Sequence, residues 1–558
     1  MSDAMILVEA EAFDTLGGWV IDQQFMDEMG SPFLLAHGLG RQVDDASTAL
    51  SIPATGSYRI WVRTRDWVGI WKGDDVRPTL RATGSPGAFQ VLIDGQPLSA
   101  SFGVEGAAWH WQDGGLVDLE AGNRHLALHD LTGTEGRCDA VLLCRDPDFR
   151  PPEAGAALEA FRRELLGLPQ TPQDAGDYDL VVTGGGIAGI CAAVSAARCG
   201  LRVAFIQDRP VLGGNNSSEV RVWLGGAAHG ERFPSIGNVL DELEQERKAH
   251  YGPDNTADLY EDDRKLELVR RESNIALFVS YRANAVETSH GRLTAVIAQN
   301  TVTGERLRFT GATFADCTGD GAIGALAGAD FKMTRRQHMG RCNLWNVKDI
   351  GSPVPYPRCP WALDLSESPF PGRDGEGGIE RLGGWYWESG FDRDPIRERE
   401  HIRDWNFRAM YGAWDALKNV QVLYPNHTLH WAAHISGPRE SRRLLGDILL
   451  TAEDLFAGRE FEDGCVVTGW KIDVHLPEAR YEAGFEGDAF ISTPLFTDYP
   501  MPFYVPYRCL YSRNVPNLFM AGRNVSVSHE ALGTVRVMRT GGLMGEVIGL
   551  AAMCCKRW

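Results

Sequence analysis

Hydrophobic and polar positions follow two different rules along this chain. From residue 1 to about 150 they alternate in short runs such as "SYRIWVRTRDW", "FQVLIDGQPL", "GLVDLEAGNRHLALHDL" and "CDAVLLCRD", with Gly, Pro and Asp at the breaks. A period of two over such lengths marks half-buried antiparallel strands, so this stretch is predicted to be an antiparallel β-sandwich. Residues 151–176, "PPEAGAALEAFRRELLGLPQTPQDAG", read as a linker: one amphipathic helix between Pro-rich turns. At Asp177 the rule changes. "YDLVV" is a continuous apolar strand, followed by a glycine turn, a helix of small apolar residues and a second strand, "LRVAFIQ". That succession opens an α/β unit, which is expected to run to the C-terminus.

Composition narrows the function. The chain has 558 residues, 44% hydrophobic and 23% charged, enough for more than one core, and a formal net charge of −20. No basic stripe is present to release counterions from a phosphate backbone, so a nucleic-acid partner is not expected and the substrate should be a small molecule. The N-terminus "MSDAMILVEAEAF" has no basic n-region and no apolar stretch of signal length, and no later window looks bilayer-spanning. A cytoplasmic protein without membrane contact is the expectation. The 11 cysteines are scattered without a CxxC motif, in keeping with a reducing compartment. Composition leaves the oligomeric state open, a homo-oligomer included.

The first chemical signal is the turn itself. In "VVTGGGIAGICAAVSAARCG", Gly184, Gly186 and Gly189 occupy G-x-G-x-x-G positions around Ile187 and Ala188. The first glycine permits the turn, the second lets the backbone approach a pyrophosphate at the helix N-terminus, and the third allows close helix–strand packing. With strands on both sides and Ala193 and Ala197 on the helix, the motif predicts dinucleotide binding. The ribose-binding acid should end the second strand; Gln207 stands there, with Asp208 and Arg209 next to it. Gln207 is the expected ribose contact, and Asp208 could serve instead.

The segments that follow select the nucleotide by resemblance. "RPVLGGNNSSEVRVWLGG" runs from the second strand into Gly213 and Gly214. It resembles the loop that, in flavoproteins of the glutathione-reductase and fumarate-reductase type, lies along the ribityl chain and isoalloxazine ring. "ATFADCTGDGAIGALAGADF" (312–331) resembles their next landmark, and "NVPNLFMAGRNVSVSHEALGTVRVMRTGGLMGEVIGLAA" (514–552) their closing strand and helix. The phrases "GGNNSSEVRVWLGG", "SGPRESRRLLGDILLTAEDL" and "SVSHEALGTVRVMRT" are similar to the FAD-dependent oxidoreductase family whose bacterial members are often labelled xanthan-lyase-like. The resemblance implies FAD as cofactor, redox chemistry and an α/β fold. In that fold a glutathione-reductase-type, Rossmann-like FAD domain (177–335 and 506–558) holds an inserted α+β substrate domain (336–505), behind the N-terminal sandwich.

It also implies site residues. Asn215, Ser217, Ser218, Glu219, Val220 and Arg221 would lie at the ribityl and ring end, although Glu219 and Arg221 could equally be a structural ion pair. Thr318, Gly319 and Asp320, with Gly522, Arg523 and Asn524, would complete the nucleotide site. "AGRN" departs from the aspartate many relatives place after "AG" to bind the ribityl chain. Gly533, Thr534 and Val535 would meet the pyrimidine edge, with Arg536 adding charge there or serving a salt bridge.

The N-terminal stretch resembles the jelly-roll domains used as carbohydrate-binding modules, through "EAEAFDTLGGW", "GLVDLEAGNRHLAL" and "RCDAVLLCRD". In some of those modules a calcium ion is held by carboxylates that would correspond to Glu9, Glu11 and Asp139; capping of strands and pairing with surface arginines is the preferred reading, and no metal is expected. Trp61, Trp67, Trp71, Trp109 and Trp111 could stack on sugars or fill the core.

A flavin dehydrogenase needs a base for the substrate proton. His529, ahead of the expected flavin-facing turn, is the first candidate. His434 and Arg439, in "YPNHTLHWAAHISGPRESRR", are next, and His475 of "DVHLP" follows them. His430 and His434 are four apart without an HExxH glutamate, so zinc is not expected. Trp385, Tyr386, Trp387 and Glu388 could form a sugar-stacking wall or pack in a core. The expected reaction is oxidation of a sugar, glycoside or polyol hydroxyl. Amine or amino-acid oxidation, with Arg439 clamping a carboxylate, and a binding protein with structural FAD are the alternatives. The sequence names no electron acceptor.

Overall fold

The computed structural model describes residues 5–373, 377–482 and 488–557. The N-terminal stretch forms two antiparallel sheets. One runs Val20–Asp22, Phe33–Ala36, Gly136–Cys144, Gly56–Thr64, His110–Leu119, with Met5–Glu9 also paired to Gly136–Cys144; the other runs Ala46–Ile52, Gly122–Asp130, Phe89–Ile93, Gln96–Pro97. Alternation decides their inner faces: Ile60, Val62, Val141 and Leu143 of the first sheet share a core with Leu50, Val91, Leu126 and Leu128 of the second. Trp61, Trp67, Trp71 and Trp111 are buried, so they fill cores and present no face for stacking on a sugar. Trp109 donates its indole N–H to Glu400, 3.2 Å away.

The linker is a packed element. Its helix, Gly155–Leu165, lays Leu158 against Trp61 and Trp111 and inserts Arg162 into the unit. Glu9, Glu11 and Asp139 do converge, each with a ligand atom within 4.8 Å of the others. Two guanidinium groups sit among them: Arg162 lies 3.1 Å from Glu9 and also pairs with Asp139, and Arg63 lies 2.6 Å from Asp139. Arginine pairing is therefore present, but the arginines are buried rather than at the surface as expected, and one comes from outside the sheets.

The second unit is organised by five parallel strands in the spatial order Ile275–Phe278, Val203–Ile206, Gln173–Thr183, Arg306–Asp316, Leu518–Met520. The first of these in the chain begins at Gln173, inside the expected linker. The last comes from the far end of the chain and pairs Phe314 with Leu518. Helices Ile187–Arg198 and Met538–Arg557 pack closely over this sheet. A Cβ on Gly545 would lie 2.1 Å from the Ala188 carbonyl oxygen, so only glycine allows the approach.

Between the fourth and fifth parallel strands lies a segment of short strands and one long helix, Arg399–Asp415, buried along nearly its whole length. This helix is where the N-terminal unit docks. Trp67, Trp71 and Leu80 share a core with Trp361, Trp405 and Trp414. Arg403 pairs with Asp22 at 2.6 Å, Tyr411 donates to Glu135 at 2.8 Å, and Arg408 donates to the Leu80 carbonyl at 2.6 Å. The two-sheet unit, read from sequence as separate, is thus fused to the rest through a buried polar and aromatic interface.

Arg137 is the centre of that interface. Fully buried, it holds Asp404 with two bonds of 2.9 and 2.6 Å and Glu400 with one of 2.5 Å. Removing one partner of a buried ion pair strands the other charge and costs about 3–5 kcal/mol. Arg137→Met should therefore lower the urea midpoint of the full chain markedly. Arg124→Met, which breaks the more exposed pairs with Asp94 and Glu120, should cost under about 1 kcal/mol. Equal midpoints for the two variants would show that the interface does not hold the units together.

Candidate active site

The glycine turn, the strand end at Gln207 and the last helix border one cavity of about 510 Å³, a size suited to a cofactor or large ligand. Gly184 has φ of +103°, and a Cβ there would lie 2.4 Å from the Cys317 carbonyl oxygen. Gly189 would place a Cβ 1.9 Å from the Gly184 carbonyl oxygen, so it serves packing and stays out of the cavity wall. Gly186 is different: the nearest atom to its Cβ position is Gly214 Cα at 3.9 Å, leaving open space in front of the helix it caps. No side chain caps that helix, so its first amides are available to an anion. Gly213 donates to the Gly185 carbonyl at 2.8 Å, joining the two glycine loops. These features fit a dinucleotide pyrophosphate.

Of the other expected cofactor residues, Ile187, Ala188, Gln207, Asp208, Arg209, Gly214, Asn215, Val220, Arg221, Thr318, Gly319, Asp320, Gly522, Arg523 and Arg536 also line the cavity. Gln207 is spent on the loops, accepting from Gly185 N–H at 2.8 Å and donating to the Val211 carbonyl at 3.0 Å. Asp208, 3.0 Å from Arg282, is the carboxylate left at the strand end. Burial would raise the Asp320 carboxyl, but Arg523, Arg341 and Arg399 hold it well below its ordinary range. Burial pushes the Arg341 guanidinium down to about 10.

Several residues act from behind the wall. Ser217 braces Gly214 through its hydroxyl at 2.8 Å, the Ser218 N–H donates to Asp262, and buried Asn524 donates to the Asp316 carbonyl. Glu219 pairs with Arg209 at 2.6 Å; the Glu219–Arg221 pair is not formed, because Arg221 donates to the Ser218 and Asn255 carbonyls and stacks on Trp431. Gly533, Thr534 and Val535 are buried outside the lining. Thr534 is bonded to Thr468, Tyr499 and the Trp470 carbonyl, and Gly533 packs on the Asp473 backbone. The chain bends by 88° between helices His529–Val535 and Met538–Lys556, and Arg536, Val537 and Met538 at the bend reach the cavity instead.

The leading histidine candidates are also displaced. His529 does not line the cavity; its Nδ1 is 2.8 Å from Glu440, which also pairs with Arg443. His434 is half-buried beside His37, outside the lining, and desolvation together with His37 pushes it down to about 3. His430 lies on strand His427–Ala432 and is exposed, so the four-residue spacing has no helix to act on.

Of the candidate histidines, His475 meets the cavity, together with Arg439. It lies on strand Ile472–Pro477, where alternation puts Asp473 and His475 on one face. Its Nδ1 is 2.7 Å from Glu388 Oε2, and its Nε2 is 3.3 Å from Asp473 Oδ1. Arg439 lies 3.3 Å from Glu388 and donates to the Trp385 carbonyl; Arg536 lies 3.1 Å from Asp473. Burial would raise Glu388, but Arg439, His475 and the Ser492 hydroxyl outweigh it and bring it down to about 2. Burial would likewise raise Asp473, which His475 and Arg536 bring down to about 2. An ionised Glu388 can only accept, so Nδ1 donates to it; in a neutral ring the lone pair is then on Nε2. Glu388 Oε1, Asp473 Oδ1, Arg439 Nη1 and Arg536 Nε are buried without a hydrogen-bond partner.

Aromatic rings complete this part of the wall. Trp385 lies 5.0 Å from the His475 ring, and Trp223, Trp470, His250 and Phe496 line the cavity as well. Tyr386 and Trp387 are buried and donate to the Arg381 carbonyl, so of the aromatic run only Trp385 faces it.

The family described as FAD dependent oxidoreductase matches residues 179–347 and 374–557. A search among curated proteins finds no match. Among solved structures, the chain is similar to the Mycobacterium smegmatis Sdh1 complex in the apo form (14% identity, 69% of each chain, TM-score 0.33). It is also similar to an E. coli quinol fumarate reductase FrdA mutant (14% identity, 68% of this chain and 70% of that one, TM-score 0.32). A family 35 carbohydrate binding module from Clostridium thermocellum matches at 16% identity over 25% of this chain and 97% of its own, with a TM-score of 0.19. The chain belongs to the FAD dependent oxidoreductase family, and FAD is its cofactor.

Proposed function

We propose that this oxidoreductase is a dehydrogenase for a hydroxyl group of a sugar, glycoside or polyol, with His475 as the base. When bound, FAD supplies the hydride acceptor. The observation that carries the reading is His475 in the lining of the cofactor cavity, held from behind by the buried Glu388. Glu388 fixes the imidazole by its Nδ1–H, and Nε2, which Asp473 Oδ1 faces at 3.3 Å without a formed hydrogen bond, would take the hydroxyl proton, with Asp473 stabilising the imidazolium that results. Trp385, Trp223 and Trp470 offer apolar faces to the C–H side of a sugar ring. Asp473, Arg439 and Arg536, which line the cavity and each keep a side-chain polar atom without a hydrogen-bond partner among the described residues, offer bonds to its hydroxyls. Each arginine there already faces a carboxylate, which favours a neutral substrate over an anion.

The second reading is oxidation of an amine or amino acid. It is favoured by Arg439 Nη1 and Arg536 Nε, which lack hydrogen-bond partners and could receive a carboxylate. Anaerobic mixing of the yellow protein with monosaccharides, glycosides, polyols, amines and amino acids separates the two. Bleaching of the 450-nm region, ~10 nm either way, by hydroxyl compounds alone is the expected result. Bleaching by amines and by no sugar would move the assignment to the second reading.

A further inference from the structure

The cavity wall contains three residues from the N-terminal unit: Gln23, Gln24 and Asp27, on the loop after strand Val20–Asp22 and the short helix it enters. Gln24 is occupied, donating to the His434 carbonyl at 3.0 Å and accepting from Ser436 N–H at 2.8 Å. Asp27 pairs with Arg282 at 2.6 Å and with Arg399 at 2.9 Å, and Arg282 reaches on to Asp208 at 3.0 Å. One guanidinium thus joins the N-terminal loop to the carboxylate at the end of the second parallel strand. Gln23 is left over: it is 3% exposed, lines the cavity, and its Nε2 has no hydrogen-bond partner among the described residues. Buried amide N–H groups are rarely left unmet, so an acceptor atom is wanted there.

We propose that the N-terminal unit is part of the cofactor site and that Gln23 donates a hydrogen bond to the adenosine diphosphate half of FAD. The position follows from the Asp27–Arg282–Asp208 chain. In a βαβ dinucleotide fold the ribose of the adenosine is met at the end of the second strand, which is where Asp208 stands. The inference depends on FAD being the cofactor and is independent of which substrate is oxidised. It also gives the buried interface with helix Arg399–Asp415 a role, since that contact holds the loop against the nucleotide domain.

The test uses the full chain, stripped of FAD and titrated with FAD, and then with ADP as competitor. A hydrogen bond of this kind accounts for roughly two- to tenfold in affinity. Gln23→Ala should weaken FAD and ADP by the same factor within that range, while the unfolding midpoint of the apoprotein stays at the wild-type value because the amide has no protein partner for its Nε2. Gln23→Glu, which sets a carboxylate before a diphosphate, should weaken both further. Unchanged FAD affinity in Gln23→Ala would overturn the proposal. So would weaker FAD binding with unchanged ADP binding, or a lowered apoprotein midpoint, which would make Gln23 a structural residue.

Discussion

Gly186→Val is expected to yield a folded, colourless protein that saturating FAD does not turn yellow. The space in front of Gly186 is open in the protein, with the closest atom to an added Cβ, Gly214 Cα, at 3.9 Å, so a Cβ there makes only an ordinary van der Waals contact. What it fills is the approach to the uncapped helix N-terminus, where a pyrophosphate gains from N–H groups and the helix dipole. The contrast is Gly184→Val, where the positive φ and a carbonyl oxygen 2.4 Å from the Cβ position forbid a side chain. That variant should fail to fold. Circular dichroism of both, together with the visible spectrum, separates loss of cofactor from loss of structure. A yellow Gly186→Val protein would place the pyrophosphate elsewhere.

His475→Gln should keep FAD bound and slow the reductive half-reaction by about 10²–10⁴ with the substrate that bleaches the wild type. Glutamine retains polarity next to Glu388 but cannot accept the proton. The readout must be flavin reduction in a single anaerobic turnover, because slow reoxidation would mask the change. His529, paired with Glu440 away from the cavity wall, should affect stability rather than this rate when replaced by alanine. Wild-type reduction in His475→Gln would remove the base assignment, and a defect confined to His529→Ala would restore the order of candidates that the sequence favoured.

That reversal has a physical cause. His529 was singled out because it stands next to a flavin-family phrase, and proximity in sequence to a site is informative only if the chain does not turn away. Here the chain bends by 88° after Val535, which carries Arg536–Met538 into the cavity and leaves His529 behind it. Asp473 and His475 were readable as a pair, since two residues apart on a strand share a face. Nothing local indicated that this face would look onto Glu388, which is far from it in the chain. The inserted segment was least legible because much of its pairing is two-residue strands, such as Arg341–Cys342 and Gly437–Pro438, too short to print a period.

By itself the sequence determined the nucleotide turn, since glycine positions, an apolar strand and a small-residue helix are local requirements of a pyrophosphate-binding βαβ unit, while FAD as its occupant is what the family resemblance of the later segments implies. It determined the alternating strands of the N-terminal unit for the same reason, because a strand's period is written in neighbouring residues. Tertiary structure alone decided which of the candidate histidines meets the cavity, whether Glu219 pairs with Arg209 or Arg221, and that the first 150 residues border that cavity. Those outcomes depend on partners hundreds of positions apart, such as Asp27 with Arg282 and Arg137 with Asp404, whose meeting is fixed by how the sheets and helices pack and by the need of each buried charge for an opposite one.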